Sequence, residues 1–597
     1  MNTELHYRRL RRIRLLFAGL TGLAFVLVLY LMYLQVFPGE EDVTWYPIGE
    51  TDFRTRGSIL DNEGHYLASD TVVYKLIAVP SQITATKTIT DRLALVQDLA
   101  AIMEIPAPEK LVEQLKPNEP DEPDKPERIV IDTLMPYEIG CQVKEMGRDG
   151  LELEPSFIRY YPEGELFGPV VGLTLWYSVT GVSGIEGYYK PELTGRDPKG
   201  WEGFSLPLEQ PLEALEGSEV EAAEEEPERV LFISDLPQVR EGADLHTTLD
   251  RNVQRIAYDA LRDGVIQSGA TRGQIIVMEP STGKVRAVVN YPSFDPNRYS
   301  EYWPERGSYL VDYSVTWIYE PGSVIKMMTV AAAINEGLIN ASTTFNDTGE
   351  ITVGTETIYN WDKGSWGLVN TVEVLAYSLN VEAAAIAQML QPAAFYEYMR
   401  RFGFGESSRI DLAGELQGEL RVPGKSDWNM SDLGTNSYGQ GLSATPMLVL
   451  TAVSVIANDG KRMRPYVVER IVQDGEERMI EPQVACEEVI SPQTAREVSR
   501  ILAESIKINI PKAIVPGYTI AGKSGTSEKP IEGRYHPTRT IASFAGFGPV
   551  EDPQFSILVT LDEPKTSSYG SVVAAPVFSR VARALFAYYG IPPTSRR

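Results

Sequence analysis

Three short groups of residues in this chain could do chemistry together. The first is Ser323-Val-Ile-Lys326, inside the run Ile318-Tyr-Glu-Pro-Gly-Ser-Val-Ile-Lys326. From Pro321 to Asn335 the sequence reads as a helix that is apolar nearly all round, and such a helix is a buried one. Lys326 is its only charge. Ser323 follows the Pro321-Gly322 break, which places it in the first turn, where unpaired backbone N–H groups and the helix dipole favour developing negative charge. Lys326 comes three residues later and shares its face. Burial disfavours the ammonium form of a lysine, and a neutral amine beside a serine hydroxyl is a general base beside a nucleophile. The bland alternative for a solitary Ser-x-x-Lys is a capping serine and a lysine that snorkels to solvent.

The second group is Ser378-Leu-Asn380, between Val369–Ala376 and Val381–Leu390, both helical in pattern, so Ser378 and Asn380 fall on the connection. Alone it reads as a helix cap. The third is Ala521-Gly-Lys-Ser-Gly-Thr526, where Gly522 and Gly525 bracket Lys523 in a strand and permit close approach of a ligand or another backbone. Gly517 to Ser524 also spells the phosphate-loop pattern Gly-x-x-x-x-Gly-Lys-Ser. That pattern works only with the lysine at a helix start, and here the surroundings are strand-like and Pro530 follows, so nucleotide binding is rejected.

The elements that must position these groups belong to a chain of 597 residues, long enough for more than one domain. A formal charge of −27 argues against a nucleic-acid partner. The four histidines share no local motif, and two distant cysteines, Cys141 and Cys486, make neither a disulfide scaffold nor a metal site; they either pair or remain two buried thiols, and the second is expected. No metal and no cofactor is called for. Five arginines between Arg8 and Arg14 precede Leu15–Phe37, a 23-residue stretch without charge. It is long enough to span a bilayer and lacks the cleavage site of a signal peptide. Residues 1–14 are therefore expected as a cytoplasmic tail and 15–37 as a transmembrane helix of the plasma membrane, with the bulk of the chain outside.

Beyond the span, Phe53–Ala68 reads as a hairpin around Asp61-Asn-Glu-Gly64, residues 71–79 as a strand and Ile89–Ile102 as a helix. Pro117–Arg128 is a loop, Gly150–Gly187 is irregular, and Glu209–Glu228 carries nine glutamates and no base, a solvated insertion. A new unit starts at Glu241: an Asp250-capped helix, strands 274–279 and 284–290 joined by Pro280-Ser-Thr-Gly283, and a long, mostly helical middle running to Met447–Asn458. Strands 517–525, 540–548 and 555–561 and a helix over 575–589 close it. Strands at both ends and helices between predict an α+β fold, one sheet flanked by helices with an inserted helical lobe.

Ser-x-x-Lys, Ser-x-Asn and Lys-Ser-Gly in that order resemble the active-site groups of β-lactamases and penicillin-binding proteins. The chain resembles the class B penicillin-binding proteins over nearly its whole length. Arg56-Gly-Ser-Ile-Leu-Asp61, Arg159-Tyr-Tyr-Pro-Glu-Gly164 and Gly184-Ile-Glu-Gly187 are similar to the family's non-catalytic pedestal, and Tyr438–Pro446 to its catalytic-domain signature. The tail, Ser543–Pro549, Asp562-Glu-Pro564 and Ala574–Phe578, is similar to the septal, division-type transpeptidases. Ser524 departs from the commoner threonine and Leu379 from a small residue; neither removes a group the chemistry needs.

The resemblance implies a β-rich pedestal over 50–240, with the acidic insertion 209–228, and a transpeptidase domain over 241–590 built on an antiparallel five-stranded sheet. It implies acyl transfer on peptidoglycan stem peptides: Ser323 as nucleophile, Lys326 as base, Asn380 holding Lys326, Ser378 relaying a proton. Lys523 with Ser524, Gly525 and Thr526 would hold the substrate carboxylate. It further implies inhibition by β-lactams, and a membrane glycosyltransferase and divisome proteins as partners. An elongation-type transpeptidase, a D,D-carboxypeptidase, a β-lactamase or β-lactam sensor, and a catalytically silent scaffold are the alternatives.

Overall fold

Asp61-Asn-Glu-Gly64 reverses the chain as its composition predicts: Gly64 takes φ +88°, and Asp61 accepts from the backbone N–H groups of Glu63 and His65. The turn joins strands β1 (Ile59–Leu60) and β2 (Tyr66–Ala78). The structure, a computed structural model, describes residues 56–594 except 84–87, 104–107, 117–127, 176–180, 195–241, 303–306 and 532–533. The basic tail, the apolar span 15–37, the acidic stretch 209–228 and nearly all of the Pro117–Arg128 loop therefore lie outside the described residues.

The long β2 pairs antiparallel with β3 (Ile129–Pro136) and β4 (Leu151–Tyr160), and helix α1 (Ile89–Ile102) buries Leu95, Val96 and Leu99 in a small separate core beneath them. The three pedestal-like stretches converge on one buried carboxylate. Glu186, fully buried, accepts from Arg56 Nε (2.6 Å) and Arg159 Nε (2.7 Å), while Asp70 accepts from Arg159 Nη1 (3.1 Å) and the Arg56 backbone N–H (2.7 Å). Two arginines against two acids leave no unbalanced charge inside, the condition under which buried ions are tolerated.

Strand β5 (Asp244–Thr247) lies parallel to β1, and β8 (Val468–Gln473) pairs antiparallel with β5, so one sheet of order β9-β8-β5-β1-β2-β3 takes strands from early and late parts of the chain, β9 being Glu476–Met479 and β4 also pairing with β2.

The second sheet has order β10-β11-β12-β6-β7, all antiparallel: β6 Arg272–Met278, β7 Val285–Tyr291, β10 Ala521–Ile531, β11 Arg534–Gly548 and β12 Phe555–Asp562. Every residue of β12 is buried, as expected of a central strand covered on both faces. Helix α2 (Arg251–Ser268), capped by the Asp250 carboxylate on the N–H groups of Asn252 and Val253, packs on the sheet with α7 (Gly570–Tyr588). Helix α6 (Pro446–Ala457), buried at every residue, also packs on it. Among the described residues α7 is the one helix long and apolar enough to cross a membrane, and its packing against β11 and β12 accounts for that composition.

The molecule is the expected α+β fold with a five-stranded antiparallel sheet, and four local readings change. Gly150–Gly187 is not irregular throughout, because β4 runs through it; the Leu-Glu-Leu-Glu alternation of Leu151–Glu154 stops at Pro155, too short to signal a strand. Strand β10 starts at Ala521, not Gly517, which turns at φ +90°. Helix α4 starts at Thr371, since Val369 and Asn370 end a short strand and Asn370 forms a capping box with Glu373. The middle also carries short strand pairs, 344–347 with 367–370 and 350–353 with 356–359, whose four-residue lengths are below what periodicity resolves.

Candidate active site

Ser323 lies in a 3-10 turn, Gly322–Ile325, that leads directly into helix α3 (Lys326–Asn335), so the expected first-turn position holds with a tighter turn. Two glycines set this turn against the edge strand β10. Gly322 has φ +58°, and its N–H donates to the Gly439 carbonyl (3.1 Å). A Cβ at Gly525 would lie 2.9 Å from the Pro321 carbonyl oxygen and 3.0 Å from a Val324 methyl. Ser527 Oγ donates to the Glu320 carbonyl (2.5 Å), and Tyr319 exchanges two backbone hydrogen bonds with Ala444. The Ser323 turn is thus pinned between β10 and the Tyr438–Pro446 segment.

Lys326 is fully buried, as the apolar helix around it requires. Its Nζ donates to the Ser378 carbonyl (2.5 Å), to Asn380 Oδ1 (2.7 Å) and to Ser378 Oγ (3.2 Å). Ser378 caps α4 (Thr371–Tyr377) in the left-handed region, φ 60° and ψ 46°, unusual for a serine and found where surrounding structure enforces it. That conformation ends α4 and allows α5 (Asn380–Phe402) to begin two residues later, interrupted at Gln391 before Pro392. Asn360 Oδ1 accepts from the N–H groups of Asn380 (3.0 Å) and Val381 (3.2 Å), which fixes the start of α5.

Lys523 points inward from β10, 1% exposed, and donates to the Ser524 carbonyl (3.1 Å). Thr526 Oγ1 accepts from the Gly570 N–H at the head of α7 (3.4 Å). The amines are buried, whereas the Ser323, Ser378, Ser524 and Thr526 hydroxyl residues are only half-buried and are the more accessible groups of the site. Among the described residues Ser323 Oγ makes no hydrogen bond, which leaves it free for an incoming group.

Burial drives the electrostatics. Desolvation pushes Lys326 well below the usual lysine range, the charge of Lys523 adds to that, and Glu382 opposes it. Desolvation lowers Lys523 to about 7. The arrangement places a serine hydroxyl, a deprotonation-prone amine and a second amine able to hold an anion within one cleft, the inventory for acyl transfer.

All three sequence groups meet here: Ser323 and Lys326 on the turn and α3, Ser378 and Asn380 on the α4–α5 connection, and Lys523, Ser524, Gly525 and Thr526 on β10. Lys523 sits inside a strand that continues to Ile531, with no helix after it, which removes the context a phosphate loop needs. Sequence reading missed Asn360 and Asp347, which support the α5 start from behind, and the buried Glu382 beside them; Asn360 sits in a loop of Trp, Asp, Lys and Gly that carries no motif. Cys141 and Cys486 are free thiols, as expected, but half-buried and not buried.

Comparison with known proteins places the chain in a family. The family model described as the penicillin binding protein transpeptidase domain matches residues 273–583, more than half of the chain, and that of the penicillin-binding protein dimerisation domain matches residues 52–201. Stage V sporulation protein D of Bacillus subtilis is 28% identical over 553 residues, covering 90% of this chain and 79% of that protein. The peptidoglycan D,D-transpeptidase FtsI homolog of Mesostigma viride is 29% identical over 597 residues, covering 94% and 93%. In fold, the chain is similar to the crystal structure of penicillin binding protein 3 from Mycobacterium tuberculosis complexed with aztreonam, with TM-score 0.67, 24% identity and 91% and 98% coverage. With a transpeptidase domain preceded by a dimerisation domain on one chain, this protein belongs to the class B penicillin-binding proteins.

Proposed function

We propose that the protein is a serine D,D-transpeptidase that crosslinks peptidoglycan stem peptides. The observation that carries this reading is the Lys326 amine, buried and held between Ser378 and Asn380 within the Ser323 cleft. Ser323 Oγ attacks the D-Ala–D-Ala carbonyl of a donor stem while neutral Lys326 takes its proton. The backbone N–H groups of Ser323 and Thr526 receive the oxyanion. Ser378 passes a proton to the departing D-Ala, and Asn380 keeps Lys326 in place. An amine of a neighbouring stem then attacks the acyl-enzyme and forms the crosslink.

Lys523, with the Ser524 and Thr526 hydroxyls and the close approach allowed by Gly525, binds the terminal carboxylate. A carboxylate beside Lys523 favours its charged form, and a charged Lys523 pushes the proton off Lys326. Substrate binding therefore prepares the base. β-Lactams carry a carboxylate next to a strained amide and acylate Ser323 by the same route.

The pedestal over 50–240 and the transpeptidase unit over 241–590 serve anchoring and catalysis, with residues 15–37 as a single membrane span, 1–14 cytoplasmic and the bulk of the chain outside. The tail motifs and the likeness to an FtsI homolog favour septal synthesis during division, with a membrane glycosyltransferase and divisome proteins as partners; septal bands of a fluorescent fusion would support this, and dispersed wall patches would contradict it.

The test of the reaction is product analysis. Incubation with a pentapeptide-bearing glycan and an acceptor amine should release D-Ala and give a crosslinked dimer by mass spectrometry. Tetrapeptide alone, even with added acceptor, would assign a carboxypeptidase instead.

A further inference from the structure

Behind the lysine, α5 opens with Asn380-Val-Glu382, and Glu382 turns inward, 2% exposed, although glutamates at a helix start ordinarily face solvent. Asp347, 1% exposed, lies against it. Asp347 is fully engaged. Oδ1 accepts from the Gly349 N–H (2.9 Å), and Oδ2 from the Trp366 N–H (2.9 Å) and Asn360 Nδ2 (2.8 Å). Asn360 in turn holds the N–H groups of Asn380 and Val381, and Asn380 Oδ1 holds Lys326 Nζ. Glu382 leaves Oε2 buried with no hydrogen-bond partner. A buried carboxyl oxygen without a partner costs stability, and none of the reaction steps above uses it.

The charges around the two groups are few. Lys326 faces Lys523 from β10, Glu382 from α5 and the Tyr438 ring, 6.0 Å from Nζ. Glu382 faces Asp347 and Lys326. The other elements packed on α5 add none: Glu350 and Glu356 on the 350–359 hairpin are exposed, Asp432 is bonded to Arg421 and Asn429, and α6 carries no ionisable residue. Burial and the Asp347 carboxylate push Glu382 up to about 7, and its charge opposes the lowering of Lys326, so each group's charge acts on the other.

We propose that Glu382 is a positioning residue for the base: buried beside Asp347 behind the turn that Asn360 holds, its carboxylate sets the charge balance around Lys326 Nζ. This rests on the reading of Lys326 as base. In acylation the proton of Ser323 Oγ passes to Lys326 Nζ, and an ionised Glu382 stabilises the ammonium that forms. In the resting enzyme the same charge holds the proton on Lys326 to higher pH. Glu382→Gln should thus lower the plateau acylation rate and move its acidic limb to lower pH.

The test is the second-order rate of acylation by a fluorescent penicillin between pH 5.5 and 9. In Glu382→Gln the limb should move acidward by about half a pH unit, so its rate at the acid end, as a fraction of its own plateau, rises about threefold. Glu382→Asp, which retains but retracts the charge, should move less. A structural role alone would lower the melting temperature or the plateau without moving the limb, and superimposed limbs would overturn the proposal. Should Glu382→Gln fold poorly, the ¹⁵N titration of Lys326 Nζ in the wild type decides, two steps supporting the pair and one overturning it. Mapping the adduct separates the two claims: a wild-type adduct away from Ser323 refutes the transpeptidase reading, whereas an adduct on Ser323 with unmoved limbs refutes only the role of Glu382.

Discussion

Substituting Gly525 by alanine tests whether the spacing between the Ser323 turn and β10 matters for catalysis. The added Cβ would stand 2.9 Å from the Pro321 carbonyl oxygen and 3.0 Å from a Val324 methyl, with Ser543 Oγ closer still. Ser543 can rotate away. Pro321 cannot, because its neighbours are held by the Gly322–Gly439 and Ser527–Glu320 hydrogen bonds. Ordinary contact begins near 3.4 Å, so strand and turn must part by about 0.5 Å. That displacement separates the Ser323 and Thr526 N–H groups assigned to the oxyanion. Losing one such donor costs about 100- to 1000-fold in rate, and a 1 Å misplacement costs about 100-fold, so half that shift should cost roughly tenfold. Overpacking should also destabilise by about 1–3 kcal/mol. Stopped-flow acylation by a fluorescent penicillin measures the rate, and a thermal melt the stability. Gly273→Ala on β6, whose Cβ meets Leu261 and Val265 of α2 and Leu561 of β12, serves as a control that destabilises without slowing acylation. A Gly525→Ala enzyme that acylates at the wild-type rate would refute the oxyanion assignment.

Other outcomes follow from the same geometry. Glu186→Gln removes the buried charge shared by Arg56 and Arg159 and turns one accepting oxygen into a donor, leaving the cluster one charge out of balance; it should destabilise by about 3–5 kcal/mol in a denaturant melt, and a change under 1 kcal/mol would show the ion cluster to be dispensable. Lys523 is lowered to about 7, so the free enzyme holds its ammonium only below that pH; inhibition constants of carboxylate-bearing β-lactams should weaken above pH 7, and constancy to pH 9 would contradict carboxylate binding by Lys523. The same shift means the folded state binds fewer protons than the unfolded state from about pH 7 to 10, so stability should rise with pH across that window. In Lys523→Met that part of the rise should vanish and the melting temperature at pH 7 should increase; an unchanged pH slope would contradict a destabilising buried lysine.

Much of the site was legible because its chemistry is local in sequence. Ser323 and Lys326 share one helix face by spacing alone, the lone charge in an apolar helix marked Lys326 as buried, and Gly522 and Gly525 around Lys523 marked a close approach. The support behind the site was not legible. Asn360, Asp347 and Glu382 come from a loop, a four-residue strand and a helix start, and only the fold brings them behind Lys326. Ser378 reads as an ordinary cap, and its left-handed backbone, which turns the carbonyl to the amine, emerges only when α4 and α5 are both in place. The fold was legible where periodicity ran long, as in α1, α2 and β12. It failed where strands were four residues long or cut by Pro155, and the β5–β8 pairing, which joins residues more than 200 positions apart, has no local signature.

The whole reaction starts from Ser323 as the residue that becomes acylated. The most direct measurement is digestion of the penicillin-treated protein and mass mapping of the adduct in wild type and Ser323→Ala. One adduct is expected, on the peptide carrying Ser323 in the wild type, and none in Ser323→Ala. An adduct on another residue, or labelling that survives Ser323→Ala, would contradict it.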